Sequence, residues 1–282
     1  MFCMDSGCID YDSLWLTTSL RGVMVCDLTV ECLTENVHSG VGSGICPDSF
    51  NVMRTLLDRL DDSTHSKMSV FNVEIPQFIK DDAKKLGELR KNHVVDDFVK
   101  LTPGGKALDA DYTEVILNNT WRPTLTVVGM TGFPVAETAG NVLRDKTTCR
   151  LSIRLPPTFD AEESKKIIVD VLSKDPPFGS KITVNPKQAG YGWAAKDLNP
   201  TLKASFSKSS TTLFGRDYYC QGEGGSIPFV YELGHMFPNC ELLVTGVLGP
   251  LSNAHCPNES LNIDYTVKMT VALAHAVADY CA

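Results

Sequence analysis

The side chains best suited to chemistry are a carboxylate and an imidazole that lie far apart in the chain, Asp5 and His255. Asp5 follows a short apolar start, and His255 lies in a turn-rich loop after the apolar run 242–247. Open α/β sheets place their sites in loops that follow strands. A carboxylate oxygen and an imidazole nitrogen of these types can together bind Zn²⁺, so a pair of metal ligands is one interpretation of this pattern. The Asp-Ser-Gly run is also typical of a plain turn.

A glycine-rich stretch at 222–228 offers a second kind of site. Gly224 and Gly225 allow the backbone to approach a ligand closely, and Glu223 and Ser226 supply polar groups. The alternative is a tight loop whose glycines are needed for positive φ. The residues alone leave both interpretations open.

Two further polar residues are ambiguous from the sequence alone. Arg154 stands in a predicted strand, where a fixed guanidinium can bind a carboxylate through two hydrogen bonds, although a surface ion pair is the simpler interpretation. His38, in Val-His-Ser-Gly, is typical of a surface loop.

Composition excludes several classes of protein. The 282 residues carry a formal net charge of −8, and no basic cluster suited to nucleic acid is present. No run approaches the roughly 20 apolar residues that span a bilayer. The first residues lack the basic segment of a secretory signal, and the ten cysteines form no C-x-x-C motif, so we expect a cytoplasmic protein with reduced thiols. We expect no nucleic-acid or membrane partner.

The order of predicted elements defines two domains. Strands at 19–33, 124–129, 150–155 and 181–184, with helices after Asp48 and at 160–173, give the order strand, helix, strand, strand, helix, strand. That order is typical of a ferredoxin-like domain, predicted at 19–188 with an irregular insertion at about 63–119. Both helices should cover one face of an antiparallel sheet.

The flanking segments 1–18 and 189–282 are predicted to form a second, α/β domain into which the first is inserted. Its elements are a helix at 201–214, a strand at 241–247 and a final helix at 265–280. An apolar face recurs at helical spacing on the final helix, at Val267, Val271, Ala274 and Ala278.

Several stretches together, in this order, resemble the M20 (carnosinase-like) metallopeptidases. They include Cys-Met-Asp-Ser-Gly at 3–7, Val-His-Ser-Gly at 37–40, Gly-Asn-Val-Leu-Arg at 140–144, Ser-Ile-Arg-Leu-Pro at 152–156, Glu-Gly-Gly-Ser-Ile-Pro at 223–228 and His-Cys-Pro-Asn-Glu at 255–259. The resemblance runs through the whole chain. It implies a dinuclear-zinc catalytic domain with an inserted ferredoxin-like lid that forms a homodimer, and a small peptide or amide as substrate.

The resemblance also assigns roles to individual residues. Asp5 would ligate one zinc ion and His255 the other, while His38 would reach the partner subunit's site and polarise the scissile carbonyl. Asn141 and Arg154 would hold the substrate and its carboxylate. The loop Glu223, Gly224, Gly225 and Ser226 would line the pocket.

The departure from the family is the absence of its His-x-Asp and Glu-Glu elements, which supply further ligands and the general base. Glu162-Glu163 is no substitute, since it falls in the predicted helix of the lid. We therefore expect the C-terminal portion of a hydrolase, inactive alone, with zinc absent or weakly bound and with apolar sheet edges exposed in the incomplete domain. The alternative is a non-catalytic dimerisation or binding protein derived from the same fold.

Overall fold

The computed structural model describes residues 1–62 and 67–282. Its strands are β1 (Phe2–Cys3), β2 (Trp15–Leu20), β3 (Gly22–Glu31), β4 (Val37–His38), β5 (Asp61–Asp62), β6 (Lys67–Met68), β7 (Thr124–Thr131), β8 (Val142–Leu143), β9 (Lys146–Leu155), β10 (Lys181–Gly190), β11 (Trp193–Ala194), β12 (Tyr219–Glu223) and β13 (Leu243–Val244).

Its α-helices are α1 (Ser39–Gly42), α2 (Ser49–Leu57), α3 (Gln77–Arg90), α4 (His93–Asp96), α5 (Tyr112–Thr120), α6 (Ala161–Ser173), α7 (Pro200–Phe214), α8 (Pro228–Met236) and α9 (Ile263–Cys281). Two 3₁₀ turns lie at Ala136–Thr138 and Pro177–Gly179. No helix in the described part of the chain has the length and apolar character needed to cross a bilayer.

The chain divides into two compact units. Unit 1 comprises Met1–Leu20, Ile75–Thr120 and Trp193–Ala282, and unit 2 comprises Arg21–Glu74 and Trp121–Gly192. Unit 2 is therefore inserted in unit 1, in agreement with the predicted α/β class and its ferredoxin-like insertion.

The segment predicted as an insertion within the lid at 63–119 is placed differently. Residues 75–120 belong to unit 1, because α3 packs against α5 and β12 and buries Ile79, Ala83 and Leu86 there. Residues 63–66 of the predicted insertion lie outside the described residues.

Unit 2 is a four-stranded antiparallel sheet in the order β10-β3-β9-β7. Alternate residues of β3 and β9 are buried, and they form one core with the apolar faces of α2 and α6, so both helices cover the same face. The side chains of Asp48 and Asp160 accept hydrogen bonds from Asn51 N and Glu163 N and so cap the two helices. The predicted fold of this domain is confirmed.

Unit 1 is built on a mixed sheet in the order β1-β13-β2-β11, with β12 also pairing with β2. Every residue of β2 is buried, because the strand is covered on both faces. At the start of β2, the ring of Trp15 stacks on the ring of Tyr219 with a centroid distance of 5.4 Å. The strand predicted at 241–247 is shorter than expected, since only Leu243 and Val244 pair regularly.

The apolar face predicted for the final helix is exposed, and the opposite face is the one that packs. Val267, Val271, Ala274 and Ala278 lie in solvent, whereas α9 packs against α7 through the opposite side, where Tyr265, Met269, Ala272, Leu273 and Ala276 are buried. The exposed face is as apolar as the packed one.

Candidate functional site

In unit 1, a hydrogen-bond network joins the turn that carries Asp5 to the glycine-rich loop. Ser6 Oγ donates to Glu223 Oε1 over 2.5 Å, and Thr17 Oγ1 lies 2.6 Å from Ser6 Oγ. Thr17 Oγ1 also donates to Glu223 Oε1 over 3.4 Å, so both hydroxyls are joined to the same carboxylate oxygen. Glu223 is half-buried, and Asp5 beside Ser6 is exposed. Two of the predicted site segments therefore meet here.

The loop that carries His255 leaves the same end of the sheet as Asp5. β1 and β13 are parallel, and a bridge between Gly7 and Leu248 continues their pairing. His255 is exposed and has a φ of 59°, and Asn253, two residues earlier, has a φ of 57°. Backbone of this kind is strained in residues other than glycine and clusters at functional sites, which favours a role for this loop.

The donors do not amount to a complete metal site. No group of three or more His, Cys, Asp or Glu side chains that could hold a metal ion occurs among residues 1–62 and 67–282. A catalytic zinc ion takes about three protein ligands and a water molecule, and a structural one takes about four. Asp5 and His255 are therefore too few to fit a zinc ion by themselves.

In unit 2, the structure places His38 and Asn141 side by side. The two-residue strands β4 and β8 pair His38 with Val142, and Ser39 N donates to the Asn141 carbonyl oxygen over 2.9 Å. His38 Nδ1 accepts a hydrogen bond from Gly40 N over 3.1 Å. A nitrogen that accepts carries no proton, so the neutral ring has its proton on Nε2 and can donate from there.

Arg154 stands on β9 beside a second arginine, Arg21, which the sequence analysis did not select. Arg21 is only 5% exposed and donates to the Arg122 carbonyl oxygen and to Thr124 Oγ1. Burial, and then the positive charge of Arg154, lower the pKa of Arg21 to about 10. Two neighbouring guanidiniums of one sign favour a bound anion, which would relieve their repulsion.

Gly222 begins the glycine-rich stretch. The close approach of Ser19 and Thr120 to its Cα explains why glycine stands at this position. A Cβ at this position would lie 2.5 Å from Ser19 Oγ and 2.7 Å from Thr120 Cβ. Gly222, Gly224 and Gly225 do not have positive φ, so the alternative of a loop that requires such backbone is not observed. No atom lies within 4 Å of the corresponding position at Gly225.

Replacement of Gly222 by Ala should therefore destabilise unit 1, whereas Gly225→Ala serves as the matched control. We expect Gly222→Ala to lower the free energy of unfolding by about 1–3 kcal/mol, as overpacking does in other proteins. Gly225→Ala should change it by less than about 0.5 kcal/mol. Urea denaturation of the two variants measures the difference, and equal stabilities would contradict the close approach.

Comparison with known proteins adds the family. The peptidase dimerisation domain of the M20 family matches residues 18–180. The cysteinylglycine-S-conjugate dipeptidase of Corynebacterium striatum is 28% identical over 278 residues, which are 98% of this chain and 58% of that protein. The Cys-Gly metallodipeptidase DUG1 of Saccharomyces cerevisiae is 27% identical over 273 residues, 92% of this chain and 55% of that protein.

A solved structure shares the fold. The M20 family metallo-carboxypeptidase Sso-CP2 of Sulfolobus solfataricus has a TM-score of 0.68 at 19% identity, over 98% of this chain and 62% of that one. The chain thus spans only about 58% of the length of the Corynebacterium relative. Because the domain match covers more than half of the sequence, the chain belongs to the M20 peptidase family, with its peptidase dimerisation domain at residues 18–180.

Proposed function

We propose that this chain is the part of an M20 dipeptidase that binds substrate and forms the dimer, and that it is inactive without further metal ligands. The complete protein would hydrolyse small peptides or related amides with zinc as its metal. The observation that carries the proposal is the partial site in unit 1, where the Asp5 turn is bonded to the Glu223 loop but no group of three metal donors is found among the described residues. The names of the relatives, a cysteinylglycine-S-conjugate dipeptidase and a Cys-Gly metallodipeptidase, support the substrate class.

Unit 2 would contribute to substrate binding through charge and hydrogen bonding. Arg154, with Arg21 beside it, would bind the substrate's carboxylate, and the lowered pKa of Arg21 supports a site that favours an anion. Asn141 would hold the substrate, and His38 would donate from Nε2 to the scissile carbonyl in the partner's site. Gly224, Gly225 and Ser226 would line the pocket of unit 1 next to Glu223.

The homodimer would form along β7, one of the two edges of the unit 2 sheet. The β10 edge carries Lys181, Lys187 and Pro186, which are features that block strand addition. By contrast, β7 carries no charge or proline, and Val127, Val128 and Met130 are exposed along it. A second copy would cover this apolar edge through isologous contacts.

We propose a cytoplasmic location for this protein. All ten cysteines are free thiols in the structure, as is usual for proteins of a reducing compartment. The second candidate is a non-catalytic dimerisation protein derived from the same fold. It is favoured by the same observation, that residues 1–62 and 67–282 hold no group of three metal donors.

Turnover of cysteinylglycine with added zinc tests the proposal. The chain alone should show none, whereas activity should appear when it is fused to the part of the Corynebacterium striatum dipeptidase that lies outside the aligned region, a fusion called here the joined protein. In the joined protein, Arg154→Met should lower kcat/KM about 10- to 100-fold, the cost of a hydrogen-bonded charge pair.

Arg150→Met is the matched control, because Arg150 lies on the same strand but binds Asp27 at the surface. Its kcat/KM should equal that of the parent joined protein. Turnover by the chain alone, or equal effects of the two arginine variants, would contradict the proposal.

A further inference from the structure

The last helix of unit 1 has two apolar faces, and only one of them is covered. The covered face packs on α7, and Met269 also contacts Thr245. On the other side an exposed stripe runs the length of α9, here called the α9 stripe. Its members recur at alternating steps of four and three residues: Ile263, Val267, Thr270, Ala274, Val277 and Cys281.

The exposure of this stripe is unusual for a surface helix. Ile263 is 70% exposed and Val267 is 58% exposed, and no charged side chain interrupts the row. An amphipathic surface helix presents polar residues on the side away from its core, whereas a helix that is apolar all round is buried in a larger structure. The α9 stripe departs from the amphipathic pattern, because the side of α9 away from its core is apolar as well.

The spacing of the stripe also indicates what kind of layer fits. Alternating steps of four and three residues are the seam along which one helix packs against another. The small side chain of Ala274 lies at the middle of the row, and Ala278 lies beside it, so a second helix can approach closely. Charged residues, among them Lys268 and Asp279, stand off the seam, as they do around a helix–helix contact.

We propose that the α9 stripe binds an amphipathic helix of a polypeptide segment such as the longer relatives possess outside the region aligned with this chain. The inference rests on the proposed function, and the aligned region makes up only 58% of the Corynebacterium dipeptidase. The sheet of the same unit is consistent with such an addition, because β1 ends the strand order and pairs on one side only, with β13, among the described residues.

Cysteine alkylation of the full chain and of the joined protein tests the assignment. Ala274→Cys places a thiol in the stripe, and Asp279→Cys places one on another exposed side of the same helix. In the chain alone both thiols should react rapidly with iodoacetamide. In the joined protein Ala274→Cys should react at least about tenfold more slowly, as expected for a packed position, and Asp279→Cys should react at an unchanged rate.

Each outcome decides the proposal. Equal rates for Ala274→Cys in both proteins would overturn it, and so would protection in the chain alone that grows with protein concentration, because the occupant would then be a second copy. If the joined protein lacks a cooperative thermal transition, the non-aligned part of the Corynebacterium dipeptidase is added to the chain as a separate polypeptide. The alkylation rates of the two cysteine variants are then compared with and without it. Alkylation is independent of turnover, so protection without activity would refute only the proposed function.

Discussion

Met130→Lys is expected to convert the proposed homodimer into a monomer. Met130 is 45% exposed on the edge strand β7, near the exposed ring of Phe133. In a two-fold dimer along this edge, one substitution introduces two unpaired ammonium groups into the apolar contact. We expect dimer dissociation to become at least about 100-fold more favourable, which corresponds to about 2.7 kcal/mol.

Sedimentation velocity at micromolar concentrations measures this change, with Thr183→Lys as the matched control. Thr183 is exposed on β10, the opposite edge of the same sheet, so a lysine there should leave the dimer intact. A dimeric Met130→Lys variant would contradict the assignment of the edge. A wild-type chain that is monomeric at high micromolar concentration would contradict the dimer itself.

The fold of unit 2 was predictable because its sequence signals are local. β3 alternates buried and half-buried residues along ten positions, and this period of two is visible in the sequence. Asp48 precedes a helix and caps it in the structure as its position indicates, and Asp160, the first residue of the predicted second helix, caps that helix. Such signals do not depend on what the element packs against.

The elements of unit 1 were less predictable because their limits depend on tertiary contacts. β13 is only two residues long, although the apolar run around it predicts a longer strand. On α9 the apolar period is present on two sides, so periodicity alone could not show that Tyr265 and Met269, rather than Val267 and Val271, face α7. Residues 75–120 carry helical patterns that do not reveal which unit they join.

The candidate site also depends on tertiary contacts that the sequence does not reveal. His38 and Asn141 are brought together by two-residue strands, which have no sequence pattern of their own, and their predicted roles came from the family resemblance. Arg21 was missed because a single arginine after a strand carries no signal; its importance lies in its burial beside Arg154. The bond from Ser6 to Glu223 links residues 217 positions apart and required the structure.

Zinc binding is the second property for which a large difference is expected, here between this chain and a complete zinc site. A site with three or more donors commonly holds structural zinc with a free energy of about 10–16 kcal/mol. Asp5 and His255 provide two donors, and no group of three or more metal donors that could complete and orient the site occurs in the described part of the chain. The apparent affinity of the chain for zinc should therefore be weaker than micromolar.

Calorimetric titration of the chain with Zn²⁺ at neutral pH tests this central claim most directly. A His255→Ala variant controls for adventitious binding by the exposed thiols of Cys256 and Cys281. We expect no submicromolar binding to the wild-type chain and little difference from the variant. Submicromolar binding that is lost in His255→Ala, together with hydrolysis of cysteinylglycine by the zinc-loaded chain, would contradict the account of an incomplete site.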